Sequence, residues 1–381
     1  MSDQILEQQI ESEIRELIRT RFNVVTGLTE FSMDNGNSYS SFTDRMEKTI
    51  LRRLRANGHK IGVNTVRNIV QSDFSNPFNP FVEYFDELDV WDGETDYINQ
   101  LCDVVEVENH DFFQAWVKKW IVGVVASMLD EDIVNHQILI LTGGQGIGKT
   151  TWFDKFVPNG LKNYSNTGYM NPESKDAQIQ ASECFLVNMD ELSSLTGKNI
   201  EGLKQLVTQK KMRVRKPYGY NPENLIKRAS FCGSTNEEQF LFDYTGNRRF
   251  LCFKATEIDL DVLKSVNIDL IYTQAYALYK SDFQFWFDKN ENKQIEENNK
   301  LFVVQSSEEE AIMQRFEPVL LEEETLLTLR WTATDVALSL AGFGLITRSN
   351  TMAQKVGRSL NKLGYRSYKS NGRLLYLLRM K

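Results

Sequence analysis

Apolar residues recur three and four positions apart at Ile10, Ile14, Leu17 and Ile18, so the chain opens on a predicted amphipathic helix with one buried face. The stretch from Phe42 to Ala56 repeats that spacing, and residues 1–85 read as a mainly helical N-terminal domain. Asn76-Pro77-Phe78-Asn79-Pro80 breaks the pattern. A long apolar helix follows, over roughly Asp111 to Leu129, and leads into short apolar runs separated by helical stretches. That alternation, over residues 86–300, predicts an α/β fold with a parallel sheet. Residues 301–330 read as an acidic connector, with three glutamates at 308–310 and three more at 322–324. The last residues, 331–381, predict a helix at Thr334–Leu340, a second at Thr347–Leu363, and two strands around Ser370-Asn371-Gly372, a good hairpin turn. Helix, helix, hairpin is a winged-helix-like pattern.

Composition changes this picture little. The chain has 381 residues, 41% hydrophobic and 25% charged, which suits several ordinary globular domains. No apolar stretch approaches bilayer length, and no membrane association is expected. The acidic, helical start does not resemble a signal peptide. Cys102, Cys184, Cys232 and Cys252 are scattered, so we expect reduced, buried thiols in a cytoplasmic protein and no zinc site.

Charge is more informative. A net charge of −8 argues against a protein that coats nucleic acid over its whole surface. Yet residues 331–381 hold nine Lys/Arg against the single acid Asp335, and residues 204–228 hold eight against Glu223. Local fields of this sign attract phosphate backbones even on an acidic protein.

The candidate chemistry begins at Ile138-Leu139-Ile140-Leu141, an apolar strand that runs into Gly143-Gly144-Gln145-Gly146-Ile147-Gly148-Lys149-Thr150. This is G-x-x-x-x-G-K-T in the strand-to-helix setting of a P-loop. Glycines permit a sharp turn that aims backbone N–H groups at phosphate oxygens, with Thr151 next in the loop. Lys149 would reach the β- and γ-phosphates of ATP, and the Thr150 hydroxyl would ligate Mg²⁺. A second apolar strand, Cys184 to Met189, ends in Asp190-Glu191, a pair expected to project toward the nucleotide. Asp190 suits the outer sphere of Mg²⁺, and Glu191 is placed to polarise the attacking water. A third strand ends in Ser234-Thr235-Asn236, where the Asn236 amide could hold that water. Arg248 and Arg249 follow a tight turn, and one of them could supply a guanidinium to the transferring phosphoryl group.

The series GGQGIGKT, FLVNMDEL, FCGSTN and FLFDYTGNRRF resembles the virulence-associated protein E family of P-loop ATPases, which are similar to superfamily 3 helicases of the AAA+ class. The likeness covers roughly residues 75–255, with Asn79-Pro80-Phe81 and Trp91-Asp92-Gly93 resembling the family's lead-in. It implies an AAA+-type core, with Lys149 and Thr150 as Walker A contacts, Asp190 and Glu191 as the Walker B pair, and Asn236 as the first sensor. It also implies a homo-oligomeric, hexameric ring, in which Arg248 or Arg249 acts on a neighbouring subunit's nucleotide. No primase module is evident, so a separate primase or polymerase would be a partner.

The basic stretch then acquires a meaning. Lys211, Arg213, Arg215 and Lys216, followed by Pro217-Tyr218-Gly219-Tyr220, suit a cationic and aromatic hairpin. In superfamily 3 helicases, a hairpin at this place grips single-stranded DNA. Here the cations would track phosphates, and Tyr218 or Tyr220 would stack on a base. Arg213 and Arg215 could instead contact a neighbouring subunit. The C-terminal module would bind duplex DNA or mediate protein contacts. Two functions are therefore expected to compete. One is an ATP-dependent helicase or translocase of a phage or mobile element. The other is a regulatory or phage-interference ATPase that does not unwind.

Overall fold

The computed structural model describes residues 3–190, 192, 197–217, 221–241, 246–319 and 327–381. Two compact units emerge, residues 1–238 with 245–300, and residues 239–244 with 301–381.

The N-terminal part of the first unit holds the expected helices and, beside them, a small sheet that hydrophobic period does not show. Helices Asp3–Leu17, Asp44–Ala56 and Val63–Val70 share this part with strands β1 (Arg19–Asn23), β2 (Leu28–Ser32), β3 (Ser40–Ser41) and β4 (Asn76–Phe78). These pair in the order β3-β2-β1-β4. Local turn chemistry produces the β1–β2 hairpin of this sheet. Gly27 takes a φ of +70°, and the Asn23 side chain accepts from Val25 N at 3.0 Å and Thr26 N at 3.1 Å, which bends the chain back into a hairpin. The predicted helical faces do pack, with Ile10, Ile14, Ile50 and Leu54 buried in one cluster with Val66 and Val70.

The remainder of the unit is built on a six-stranded sheet. Its strands are β5 (Val105–Val107), β6 (Ile138–Thr142), β7 (Ser165–Thr167), β8 (Leu186–Met189), β11 (Ser230–Thr235) and β12 (Phe250–Ile258). A separate pair, β9 (Lys211–Val214) and β10 (Glu223–Ile226), is antiparallel. The main sheet runs β5-β12-β6-β11-β8-β7, parallel throughout except that β5 is antiparallel to β12. Every residue of β6 is buried, as a strand covered on both faces requires. Helix His110–Leu129 corrects one expectation, since its length and composition would suffice to cross a bilayer. It serves instead as a core helix, with Trp116, Val117, Trp120 and Ile121 buried among the residues of the sheet.

The second unit carries helices Ser307–Arg315, Ala333–Gly342 and Met352–Lys362 with strands β13 (Phe316–Pro318), β14 (Leu329–Trp331), β15 (Ser367–Ser370) and β16 (Arg373–Met380). Strand β16 pairs with the other three, and Asn371 and Gly372 form the β15–β16 turn with φ of 47° and 73°. The expected acidic connector is not simply a linker. Ala311, Ile312 and Phe316 are buried with Val336, Leu340 and Val356, an apolar face that the glutamate run conceals. Residues 322–324, the second glutamate triplet, lie outside the described residues.

Candidate nucleotide-binding site

Strand β6 ends at Thr142, and the glycines after it are required by their surroundings. A Cβ on Gly143, whose φ is +144°, would sit 2.2 Å from the Ala255 carbonyl oxygen. One on Gly148, φ +97°, would sit 2.6 Å from Leu260 Cδ2. Gly144, Gln145 and Gly146 are exposed, Ile147 is half-buried, and Lys149 begins the helix Lys149–Asp154. The Lys149 ammonium folds back and donates to Gly143 O at 2.8 Å, Gly144 O at 2.7 Å and Asn236 Oδ1 at 3.0 Å. Burial lowers its pKa, and the nearby Asp190 charge opposes that shift. Its partners are neutral oxygens, so its charge remains available to an anion.

The magnesium ligands expected from sequence also converge. Thr150 Oγ1 donates to Asp190 Oδ1 at 3.1 Å. Ser234 Oγ donates to the same oxygen at 2.7 Å, a contact that sequence reasoning missed. Ser234 lies on β11 itself and Asn236 one residue past its end, and the contact depends on the neighbouring strand β8 that carries Asp190. Strand β11 lies between β6 and β8, with Thr235 opposite Thr142 and Gly233 opposite Met189, so three adjacent strand ends meet at one place. Thr151 is exposed beside them, and Glu191 lies outside the described residues. A loop too tight for side chains, a cation without a carboxylate partner, and a hydroxyl–carboxylate pair fit a magnesium–triphosphate group.

The arginines stand elsewhere. Arg248 is exposed and Arg249 half-buried in a short helical turn, Asn247–Arg249. Asn299 Nδ2 holds that turn by donating to Asn247 O at 2.7 Å and Phe250 O at 2.8 Å. Phe250 begins β12 opposite Ile138, which begins β6. The arginines therefore precede the strands that the P-loop follows. At about 3.3 Å per residue, the two lie on the order of 15–20 Å apart. They flank a cavity of about 730 Å³ that Trp286, Lys289 and Lys293 also line.

Cations of the hairpin fall into two groups. Met212 and Val214 are buried, whereas Lys211, Arg213 and Arg215 are exposed. Lys216 is tied down, donating to Glu183 Oε1 at 2.6 Å and Thr26 O at 2.5 Å. Tyr218 lies outside the described residues. Lys227 is fully buried and donates to Asn135 O at 3.0 Å, and burial lowers its pKa to about 7. In the second unit, Arg348, Arg358, Arg366 and Lys369 are exposed, but Lys355 and Lys362 pair with Glu308 at 3.3 Å and Glu309 at 2.5 Å.

Comparison with known proteins bears on the same residues. A family model described as the virulence-associated protein E-like domain matches residues 85–304. A solved structure titled "The apo structure of NrS-1 C terminal region (305-718)" aligns with a TM-score of 0.54 at 10% identity, covering 98% of each chain. Another, titled "The A form apo structure of NrS-1 C terminal region-CTR(305-718)", aligns with a TM-score of 0.51 at 9% identity, covering 97% of this chain and 98% of that one. No curated protein matches the sequence.

Proposed function

Because the chain belongs to the virulence-associated protein E-like family, matched over more than half its length, we propose that it is an ATP-dependent DNA helicase or translocase of a phage or mobile element. ATP would be held by the backbone of residues 143–151 and by Lys149, and Mg²⁺ by Thr150 and Asp190. Together they supply a phosphoanhydride with its charge partly neutralised. Lys149 anchors the loop and keeps a positive charge at its mouth. Asp190 is oriented through one oxygen by Thr150 and Ser234. Asn236, fixed by its bond to Lys149, is positioned to orient a water, and Glu191 is the proposed base.

The observation that carries this reading is the separation of Arg248 and Arg249 from the P-loop of their own chain. A guanidinium at the opposite end of the strands can serve catalysis only on a second copy, which favours hydrolysis between subunits of a homo-oligomeric ring. Lys211, Arg213 and Arg215 are free to track single-stranded DNA. The alternative is a regulatory ATPase that binds partners without unwinding. It draws support from the internal pairing of Lys216, Lys355 and Lys362, which removes charge from a DNA surface. ATP hydrolysis measured with and without single-stranded DNA, beside strand displacement on a forked duplex, decides between them. Stimulation with displacement supports the motor. Hydrolysis indifferent to DNA, with no displacement, supports the regulator.

A further inference from the structure

The two ends of the main sheet carry opposite charges that, among the described residues, form no ion pairs within the chain. At the P-loop end, Glu257 on β12 faces Glu106 on β5 directly across an antiparallel register. Like charges so placed repel. Both glutamates are exposed, and among the described residues neither forms an ion pair. They adjoin the nucleotide site, because Ala255, two residues earlier on the same strand, presses its carbonyl against Gly143.

At the arginine end, Arg248, Lys289 and Lys293, all exposed, gather around one cavity that Arg249 and a single acid, Glu296, also line, so its charge is net positive. Among the described residues, none of the three forms an ion pair. Trp286, 57% exposed, stands in the same cavity wall as a large apolar group without cover. A tryptophan set among unpaired cations at a concave surface has the make-up of an interface anchor.

We infer that the Trp286–Lys289–Lys293 cavity docks the Glu106–Glu257 edge of a second copy of this chain, head to tail. This inference rests on the assembly reading above and names the surfaces that would bring one subunit's arginines to the next subunit's P-loop. Each face repels itself and attracts the other, so the interface is heterologous, and every copy presents both halves. Charge complementarity of this kind orients encounter and disfavours tail-to-tail pairing.

The test is sedimentation of the full chain with Mg²⁺ and a non-hydrolysable ATP analogue. The wild type associates. Lys289→Glu with Lys293→Glu weakens association at least tenfold, and Glu106→Lys with Glu257→Lys does the same. All four changes in one chain restore association to within a few-fold, because the charges are exchanged rather than lost. All these side chains are exposed, and restoration itself excludes misfolding as the cause of the loss. Association unchanged in both double variants, or no recovery in the fourfold variant, overturns this interface while leaving assembly by another face intact. A wild type that stays monomeric at every concentration overturns both this inference and the assembly reading.

Discussion

The two ends of the central sheet are built to different rules. At the P-loop end, Lys149 meets three protein oxygens, and Asp190 receives two hydroxyls, so the polar groups hold one another in place before any ligand arrives. At the other end, Arg248 is exposed, and the Arg249 guanidinium makes, among the described residues, one long bond of 3.4 Å to Gly246 O in its own turn. The first end is preorganised, which lowers the reorganisation needed during reaction. The second is left open among the described residues. One end finished internally and the other left open, on one sheet, is the arrangement that the proposed catalysis between copies requires.

Losing the open end should cost the most. Replacing the responsible arginine, by Arg248→Ala or Arg249→Ala, should lower ATP turnover by about 10³–10⁵-fold, the range for arginine fingers, while nucleotide affinity measured by calorimetry stays near wild type. Thermal unfolding of Arg248→Ala should be unchanged, since the side chain lost is exposed and has no partner among the described residues. Lys149→Ala should behave in the opposite way. Hydrolysis falls by roughly 10²–10³-fold, nucleotide binding weakens, and the free protein also melts earlier because three acceptors lose their donor. If both variants shifted the melting temperature equally, the contrast between the ends would be lost.

Lys227 gives a pH-dependent view of the open end, where burial and the charges of Lys227 and Arg249 also lower the His136 pKa. The folded pKa of Lys227, about 7, lies below the ordinary value of 10.5. Between these values the unfolded chain holds a proton that the folded chain has shed, so this residue's contribution to stability rises with pH across that window. Below about pH 7 its destabilising effect is complete. Lys227→Met, similar in volume, should stabilise the protein at pH 6.5 by about 1–4 kcal/mol, and the gain should shrink toward pH 10. Chemical denaturation at the two pH values checks this.

The smallest effect concerns the hairpin. Arg213→Ala should weaken single-stranded DNA binding a few-fold and reduce the slope of log affinity against log salt by about 0.7, the loss of one phosphate contact. Lys216→Ala should leave that slope unchanged and instead lower stability, because its ammonium is engaged by Glu183 and Thr26. Titrations at several salt concentrations separate the two.

What the sequence revealed follows the range of the interactions. The P-loop, the Asp190 strand end and the Asn236 strand end are local patterns, and the sheet brings them together through β11. The helices and hairpin of residues 331–381 were legible for the same reason, from spacing and from a turn that needs Asn371-Gly372. The β1–β2 hairpin was missed because its signal lies in an Asn23 side-chain turn rather than in hydrophobic period. The Lys216 tether was not legible at all, since Thr26 is far away in the chain. Ser234 stood in plain view, but only the neighbouring strand shows that its hydroxyl meets Asp190.

The central claim is that one active site is completed by two copies. Lys149→Ala protein retains its arginines, and protein with Arg248→Ala and Arg249→Ala retains its P-loop. Each alone should hydrolyse ATP at a residual rate. Mixed in equal amounts at a concentration that supports assembly, they should form interfaces where an intact P-loop meets intact arginines, and hydrolysis should rise well above the sum of the two residual rates. A mixture that stays at that sum, while both proteins remain folded and still associate, would contradict the account.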